Sequence, residues 1–254
     1  MNRRVFLGMC GGSSFGWAQS KEVATATPST LVSFGSVPNV TQKYLKSVGD
    51  RLIQPGKERS SFSGTIAVGD AAGTAIQWTN EFPGKLKIDG LGKSLVFDLG
   101  KSARQSLDEL DDELLEVLSA DTPDAFFDQM QKGSFPRMLG ANFQVEGVKG
   151  FGATVDIFQV VVPVTARKVA GTVAKHYMFD NQTGLLFRVA YQKVLSGAAS
   201  KVVTEWNGYE KTDGTNWTPK QITRRQNGAK KFEVKIQTSA LRATANDNLF
   251  ALAK

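Results

Sequence analysis

The sequence predicts a mainly β fold with helices, α+β in class, and three observations carry that prediction. Residues 184–238 fall into strand-length runs in which apolar and polar side chains alternate. Turn pairs separate those runs, with Asp213-Gly214 and Asn227-Gly228 as the clearest. Three other stretches, 40–52, 106–118 and 122–130, space their apolar residues three and four apart, as helices do. An antiparallel meander with one apolar face must cover that face or close on itself. The helices are the available cover.

Composition sets the outer limits. The chain has 254 residues, 41% hydrophobic and 22% charged, which is globular and fits one or two domains. Its single cysteine, Cys10, excludes an intrachain disulfide. With one histidine as well, a structural zinc site is excluded. The net charge of +7 reads as solubility, or as attraction to anionic surfaces.

Residues 1–18 read as an export signal. Arg3-Arg4 form the positive start, a short apolar segment follows, and Ala18 is a small residue at the cut. Arg3-Arg4-Val5-Phe6-Leu7 also fits a twin-arginine signal, so both the secretory and the twin-arginine routes stay open. No later run reaches the ~18 apolar residues of a membrane span. The mature chain is therefore expected to be soluble and periplasmic. Residues 19–37, rich in Ser, Thr, Ala and Pro, read as a flexible lead-in. Residues 38–254 are read as one domain.

Within that domain a helix is expected after Pro38-Asn39, with Val40, Tyr44, Leu45, Val48 and Leu52 on one side and Pro55-Gly56 at its end. Four strands come next, at 61–68, 74–79, 84–90 and 93–99, with Phe62, Ile66, Trp78, Leu86 and Phe97 among their apolar residues. In residues 106–118, Leu107, Leu110, Leu114, Val117 and Leu118 form a stripe. Asp108, Glu109, Asp111, Asp112, Glu113 and Glu116 make the rest of that helix acidic, and the expectation is a solvated face. A second short helix opens at Pro123, capped by Thr122 or Asp121, with Phe126, Phe127 and Met130 on its apolar side. Strands at 142–147, 153–164, 170–180, 184–191, 201–209, 217–225 and 230–238 complete the chain, closing on Leu249-Phe250. Ile157–Val164 is nearly all apolar and predicts burial on both faces.

The chemistry-bearing residues are sparse. His176 shares a strand face with Ala174 and Met178, and a lone histidine there reads as a packed or surface residue. No nucleophile elbow and no phosphate-binding glycine loop occurs. The acids of 108–116 lack calcium-loop spacing. Arg224-Arg225 and Lys230-Lys231 flank a hairpin turn with no nucleic-acid motif, and read as a solvated edge guarded by charge. The aromatic residues admit two readings, an ordinary core or the lining of a lipid-sized cavity.

The order of elements, with three local matches, resembles a known family. The matches are the hairpin stretch 177–188 with Thr183-Gly184 and Arg188, the stretch 209–222 with Asp213-Gly214, Pro219 and Ile222, and the terminal Asn246-Asp247-Asn248-Leu249-Phe250. Over residues 38–254 they look like the LolA-like outer-membrane lipoprotein-sorting proteins, the lipoprotein carriers of Gram-negative periplasms. The resemblance implies a strongly curved antiparallel half-barrel, an N-terminal helix, and mid-chain helices over its open face. It also implies an apolar cavity for acyl chains. Carriers of that family have an arginine in an early strand, whereas here 62–68 has none and Arg59 precedes it. No single residue is carried over for that role.

The sequence therefore predicts a non-enzymatic exported binding protein, a monomer without cofactor, metal or nucleic-acid partner. It would hold a lipid, an acyl chain or a lipoprotein in a cavity. The expected lining is Phe62, Ile66, Trp78, Leu86, Phe97, Leu114, Phe126, Phe127, Met130, Phe187 and Tyr191. The alternative is a structural or interaction module of the cell envelope, with a filled core and an envelope protein as partner.

Overall fold

In the computed structural model the described residues are 36–47, 56–82, 84–98, 108–131, 136–163, 172–195, 198–212, 216–244 and 249–250. The expected export signal and most of the lead-in lie outside them, as do Val48 and Leu52 of the first helix. All the described elements belong to one unit, Phe34–Lys254.

The chain begins with α1 (Ser36–Ser47) and four strands, β1 (Glu58–Val68), β2 (Thr74–Glu81), β3 (Lys85–Gly90) and β4 (Lys93–Asp98). Then come α2 (Glu109–Leu115), a π-helical turn (Glu116–Ala120) and α3 (Pro123–Gln131). The second run of strands is β5 (Arg137–Gln144), β6 (Thr154–Pro163), β7 (Thr172–Asp180), β8 (Leu186–Leu195) and β9 (Ala198–Asn207). A small hairpin, β10 (Glu210–Thr212) and β11 (Asn216–Thr218), precedes β12 (Gln221–Gln226) and β13 (Ala229–Thr244).

Eleven strands make one antiparallel sheet in the order β4-β3-β2-β1-β13-β12-β9-β8-β7-β6-β5, and the sheet is not closed. The two β blocks expected from the sequence are thus two meanders joined at one seam. The first runs outward from β1 to β4, and the second runs inward from β5 to β13. At the seam β1 and β13 are antiparallel, with Ile66 opposite Val234 and Val68 opposite Phe232. β13 alternates Phe232, Val234 and Ile236 inward with Glu233, Lys235 and Gln237 on its other side, so one register buries all three apolar residues.

Several expectations change in detail. The strand expected at 217–225 is broken at Pro219-Lys220, because proline has no N–H for a central ladder. Its first part pairs only with β10 in a separate two-stranded sheet. The last strand runs on to Thr244, where Glu58 and Arg59 of β1 supply partners. Arg59 therefore lies inside the first strand, buried and 3.2 Å from Glu81. The strand expected at 142–147 is instead β5, ending at Gln144. Val161 is 56% exposed, so β6 is not buried on both faces. The turn Asn227-Gly228 is as expected, with φ of 50° and 84° at its two central residues.

The main core lies between one sheet face and the helices. Phe126 of α3 is fully buried against Phe158, Tyr177 and Phe179, with ring centroids 5.7, 5.1 and 4.9 Å away. Leu114, Val117 and Leu118 join the same cluster, as do Ile66, Leu86, Val189 and Phe232 from the sheet. A smaller cluster elsewhere contains Val155, Met178, Phe187 and Ala190.

Helix starts obey their caps. Asp108 accepts from Asp111 N, and Asp111 returns the bond to Asp108 N, so α2 begins three residues later than expected, at Glu109. Thr122, rather than Asp121, caps α3, accepting from Ala125 N at 3.2 Å. Between them the backbone widens to a π turn, and Asp121 N donates to Glu116 O at 2.8 Å. That widening leaves the Asp121 carboxylate free to pair with side chains of the sheet.

Candidate functional site

Two features stand side by side on the sheet face that meets the helices. The first is a cleft of about 130 Å³. Its sheet wall is Phe62 of β1, Trp78 and Asn80 of β2, Trp206 of β9, Ile222 of β12, and Ile236 and Leu241 of β13. Its other wall is Tyr44 of α1, Leu118 of the π turn, and Thr122, Pro123 and Asp124 at the start of α3. Tyr209, Asn216, Trp217, Thr218 and Pro219, in and around the β10–β11 hairpin, complete it with Ser60 and Leu185.

Strand alternation accounts for the sheet wall. Phe62 and Trp78 are cross-strand partners on neighbouring strands, and their rings stack at 4.9 Å. Trp206 and Ile222 are partners on β9 and β12. The helix wall depends on α1. Lys43 Nζ donates to Asn181 O at 2.6 Å, and Ser47 Oγ donates to Thr183 O at 2.6 Å. Tyr44 then stacks on Phe127 at 4.6 Å, with its hydroxyl 3.4 Å from Asp124 Oδ1.

The second feature is a buried polar cluster. On β9 and β12 the partners next to Trp206–Ile222 on the same face are Thr204 and Arg224. Arg224 is fully buried, and all five of its N–H donors have acceptors. Nε donates to Glu113 at 2.6 Å, and Nη1 to Asp121 at 2.9 Å and Thr204 at 2.7 Å. Nη2 donates to Glu116 at 2.7 Å and to the Tyr191 hydroxyl at 2.8 Å. Lys193 reaches Glu113 and Glu116, and Lys175 reaches Asp121 and Glu116. Three cations thus face three carboxylates.

This cluster corrects two expectations. The acidic side of 106–118 is solvated only at its start, where Asp108 and Glu109 are exposed, since Asp111 and Glu113 are buried and Glu116 is largely so. Arg224 is not on a guarded edge, because β12 lies between β9 and β13 near the middle of the sheet. Burial alone would raise the Glu116 carboxyl. The charges of Lys175, Arg224 and Lys193 outweigh it and hold the group well below the usual carboxylate range. Burial pushes the Tyr177 and Tyr191 hydroxyls well above their ordinary value, with Asp121 adding to the effect. Charges so fully paired fasten the helical segment to the sheet.

The expected lining residues are spread across these features. Phe62 and Trp78 line the cleft. Ile66, Leu86, Phe97, Leu114, Phe126 and Phe127 are buried in the main core, and Met130 packs against it. Tyr191 lies in the polar cluster, beneath Lys175 Nζ at 4.5 Å from its ring centroid. Phe187 belongs to the smaller cluster, edge-on to Phe151. Tyr44, Tyr209 and Trp217 are cleft residues that the sequence did not single out, whereas Trp206 is among the aromatic residues for which it leaves core and cavity lining open. Trp206 alternates with Thr204 and Val202, a signal of which side it takes but not of what stands opposite.

His176 is half-buried, 3.0 Å from Gln159 Nε2, and burial lowers its pKa. Among the described residues no three His, Cys, Asp or Glu side chains gather to hold a metal ion. Among them, too, no helix is long and apolar enough to cross a membrane.

The fold is similar to those of three solved structures. One is a LolA superfamily protein from Nitrosomonas europaea, at a TM-score of 0.48 and 11% identity over 85% of this chain and 97% of that one. Another is an outer membrane lipoprotein-sorting protein domain from Vibrio parahaemolyticus, at 0.48 and 13% over 84% and 94%. The third is a DUF1329 family protein from Desulfovibrio piger, at 0.49 and 13% over 84% and 93%. No family model and no curated protein matches the sequence.

Proposed function

We propose that this chain is an exported, non-enzymatic binding protein that holds the apolar part of a lipid or acyl chain between the sheet and the helices. The observation that carries the reading is the cleft itself. Its walls are mainly aromatic and aliphatic side chains, from the sheet on one side and from Tyr44, Leu118 and Pro123 on the other. A site of that make-up draws its affinity from apolar burial, about 25 cal/mol per Å² before association costs. No covalent step is needed.

The volume limits how the ligand enters. A cleft of about 130 Å³ is close to the ~150 Å³ cavity that admits one benzene ring. A full acyl chain requires more room, so α1, rather than the fastened α3, acts as the movable wall. α1 is a single helix set against the 181–183 turn through Lys43 and Ser47, which supports it as the part that gives way.

The test is native mass spectrometry of protein purified without detergent, with lipid extraction of the same sample. Co-purified acyl species that are lost in Phe62→Asp and Trp217→Asp are the expected result. A clean apo mass that stays unchanged after incubation with lipid vesicles would overturn the reading. The rival reading is an interaction module, and the filled core favours it, since Leu86, Leu114 and Phe126 are wholly enclosed by protein. That rival is upheld if the interior stays empty of ligand while an envelope protein is retained on the folded surface.

A further inference from the structure

The make-up of the cleft points to more than an apolar ligand, provided that this cleft is the binding site proposed above. Six aromatic side chains line about 130 Å³, namely Tyr44, Phe62, Trp78, Trp206, Tyr209 and Trp217. Among the described residues that line it there is no lysine, arginine or histidine, and the one charged side chain is Asp124. Aromatic faces carry partial negative charge and attract a cation whose own surface is apolar.

A second observation concerns Trp217. Its ring already accepts a cation, with Lys211 Nζ 5.6 Å from its centroid. A third concerns unpaired groups in the wall. Asn80 Oδ1 and Trp206 Nε1 are both buried without a hydrogen-bond partner. A ligand with an oxygen near its cationic end offers an acceptor to Trp206 Nε1. The Asn80 carbonyl oxygen adds a negative dipole to the ring faces.

From these features we infer that the cleft binds a trimethylammonium group, as in a choline headgroup, with the rings around its methyl surface and Asp124 supplying the counter-charge. Three methyl groups on nitrogen present an apolar shell of about the right size for this volume, and the positive charge spreads over that shell. A primary ammonium is more strongly hydrated and loses more on entering. The same chemistry comes from two sources, a choline-headed lipid or a free choline-like solute.

Intrinsic fluorescence reads the site directly, because Trp78, Trp206 and Trp217 all line it and the chain's fourth tryptophan is Trp17. The full chain is titrated with choline chloride, with monomeric dodecylphosphocholine, with dodecyl maltoside, and with 3,3-dimethyl-1-butanol, the uncharged carbon analogue of choline. Choline is expected to bind at least tenfold more tightly than its uncharged analogue. Asp124→Asn is expected to lower choline affinity about fivefold and leave the analogue unchanged, and Trp217→Leu to lower choline affinity about tenfold. Binding of dodecylphosphocholine far tighter than choline assigns the group to a lipid, and equal binding assigns it to a solute. An analogue that binds as well as choline overturns the inference, and so does a response to dodecyl maltoside alone. In both cases the apolar cleft still stands as a binding site. No response to any of the four overturns both readings.

Discussion

Arg224 and Asp121, 103 residues apart in sequence, form an ion pair of 2.9 Å in which neither side chain is exposed. The pair ties the middle of the sheet to the turn between α2 and α3. Removing Arg224 leaves three carboxylates facing only two cations, Lys175 and Lys193, and a buried charge that loses a partner in this way costs roughly 3–5 kcal/mol. Arg224→Ala is therefore expected to lose that much stability in urea denaturation. Arg224→Lys recovers only part of it, because an ammonium has three donors where the guanidinium uses five.

Acid should loosen the same cluster through Glu116. Its carboxyl is held below an ordinary value near 4.5, so the folded state favours the ionised form. The stability it contributes is full above that ordinary value and is lost as pH falls towards the lower folded-state value. Stability measured from pH 6 down to pH 3 should decline, with at most about 1.4 kcal/mol per pH unit from this one proton. Glu116→Gln should flatten that slope. An unchanged slope would show that other carboxylates carry the acid dependence.

The docking of α1 depends on a glycine. Gly184 has φ of +74°, and a Cβ there would meet Lys43 Cβ at 2.6 Å and Tyr44 N at 2.7 Å. Gly184→Ala combines left-handed backbone strain with a clash against the helix, a loss of roughly 2–4 kcal/mol. Hydrogen exchange should rise first in residues 36–47. Since Tyr44 lines the cleft, ligand binding should weaken in the same variant.

A milder change tests what holds the start of α3. Thr122 caps α3 through Ala125 N. Thr122→Ser keeps the hydroxyl and should be near neutral, whereas Thr122→Ala should cost about 1 kcal/mol. A thermal melt of the two variants checks the difference. Equal melting temperatures would mean that packing of Phe126 and Phe127, not the cap, holds the start of α3.

The sequence by itself determined most of the strands and their turns and which stretches are helical, though not where each helix begins. Alternation, Asn227-Gly228 and the caps at Asp108 and Thr122 are local features, and local backbone preference decides them. A subtler signal lies in the same alternation. Lys175, Lys193 and Arg224 occupy inward positions of their strands, beside Tyr177, Tyr191 and Ile222, where apolar residues belong. Only the tertiary structure decided what those charges meet. Their partners come from α2 and the π turn, more than fifty residues away for each, and helical spacing alone reads those acids as facing water. The same holds for the seam of β1 with β13, for Trp217 and Trp78 in one cleft, and for the helix wall opposite them. Alternation says which side chains share a face, but the element laid across that face is chosen by long-range packing and charge pairing, which no local pattern records.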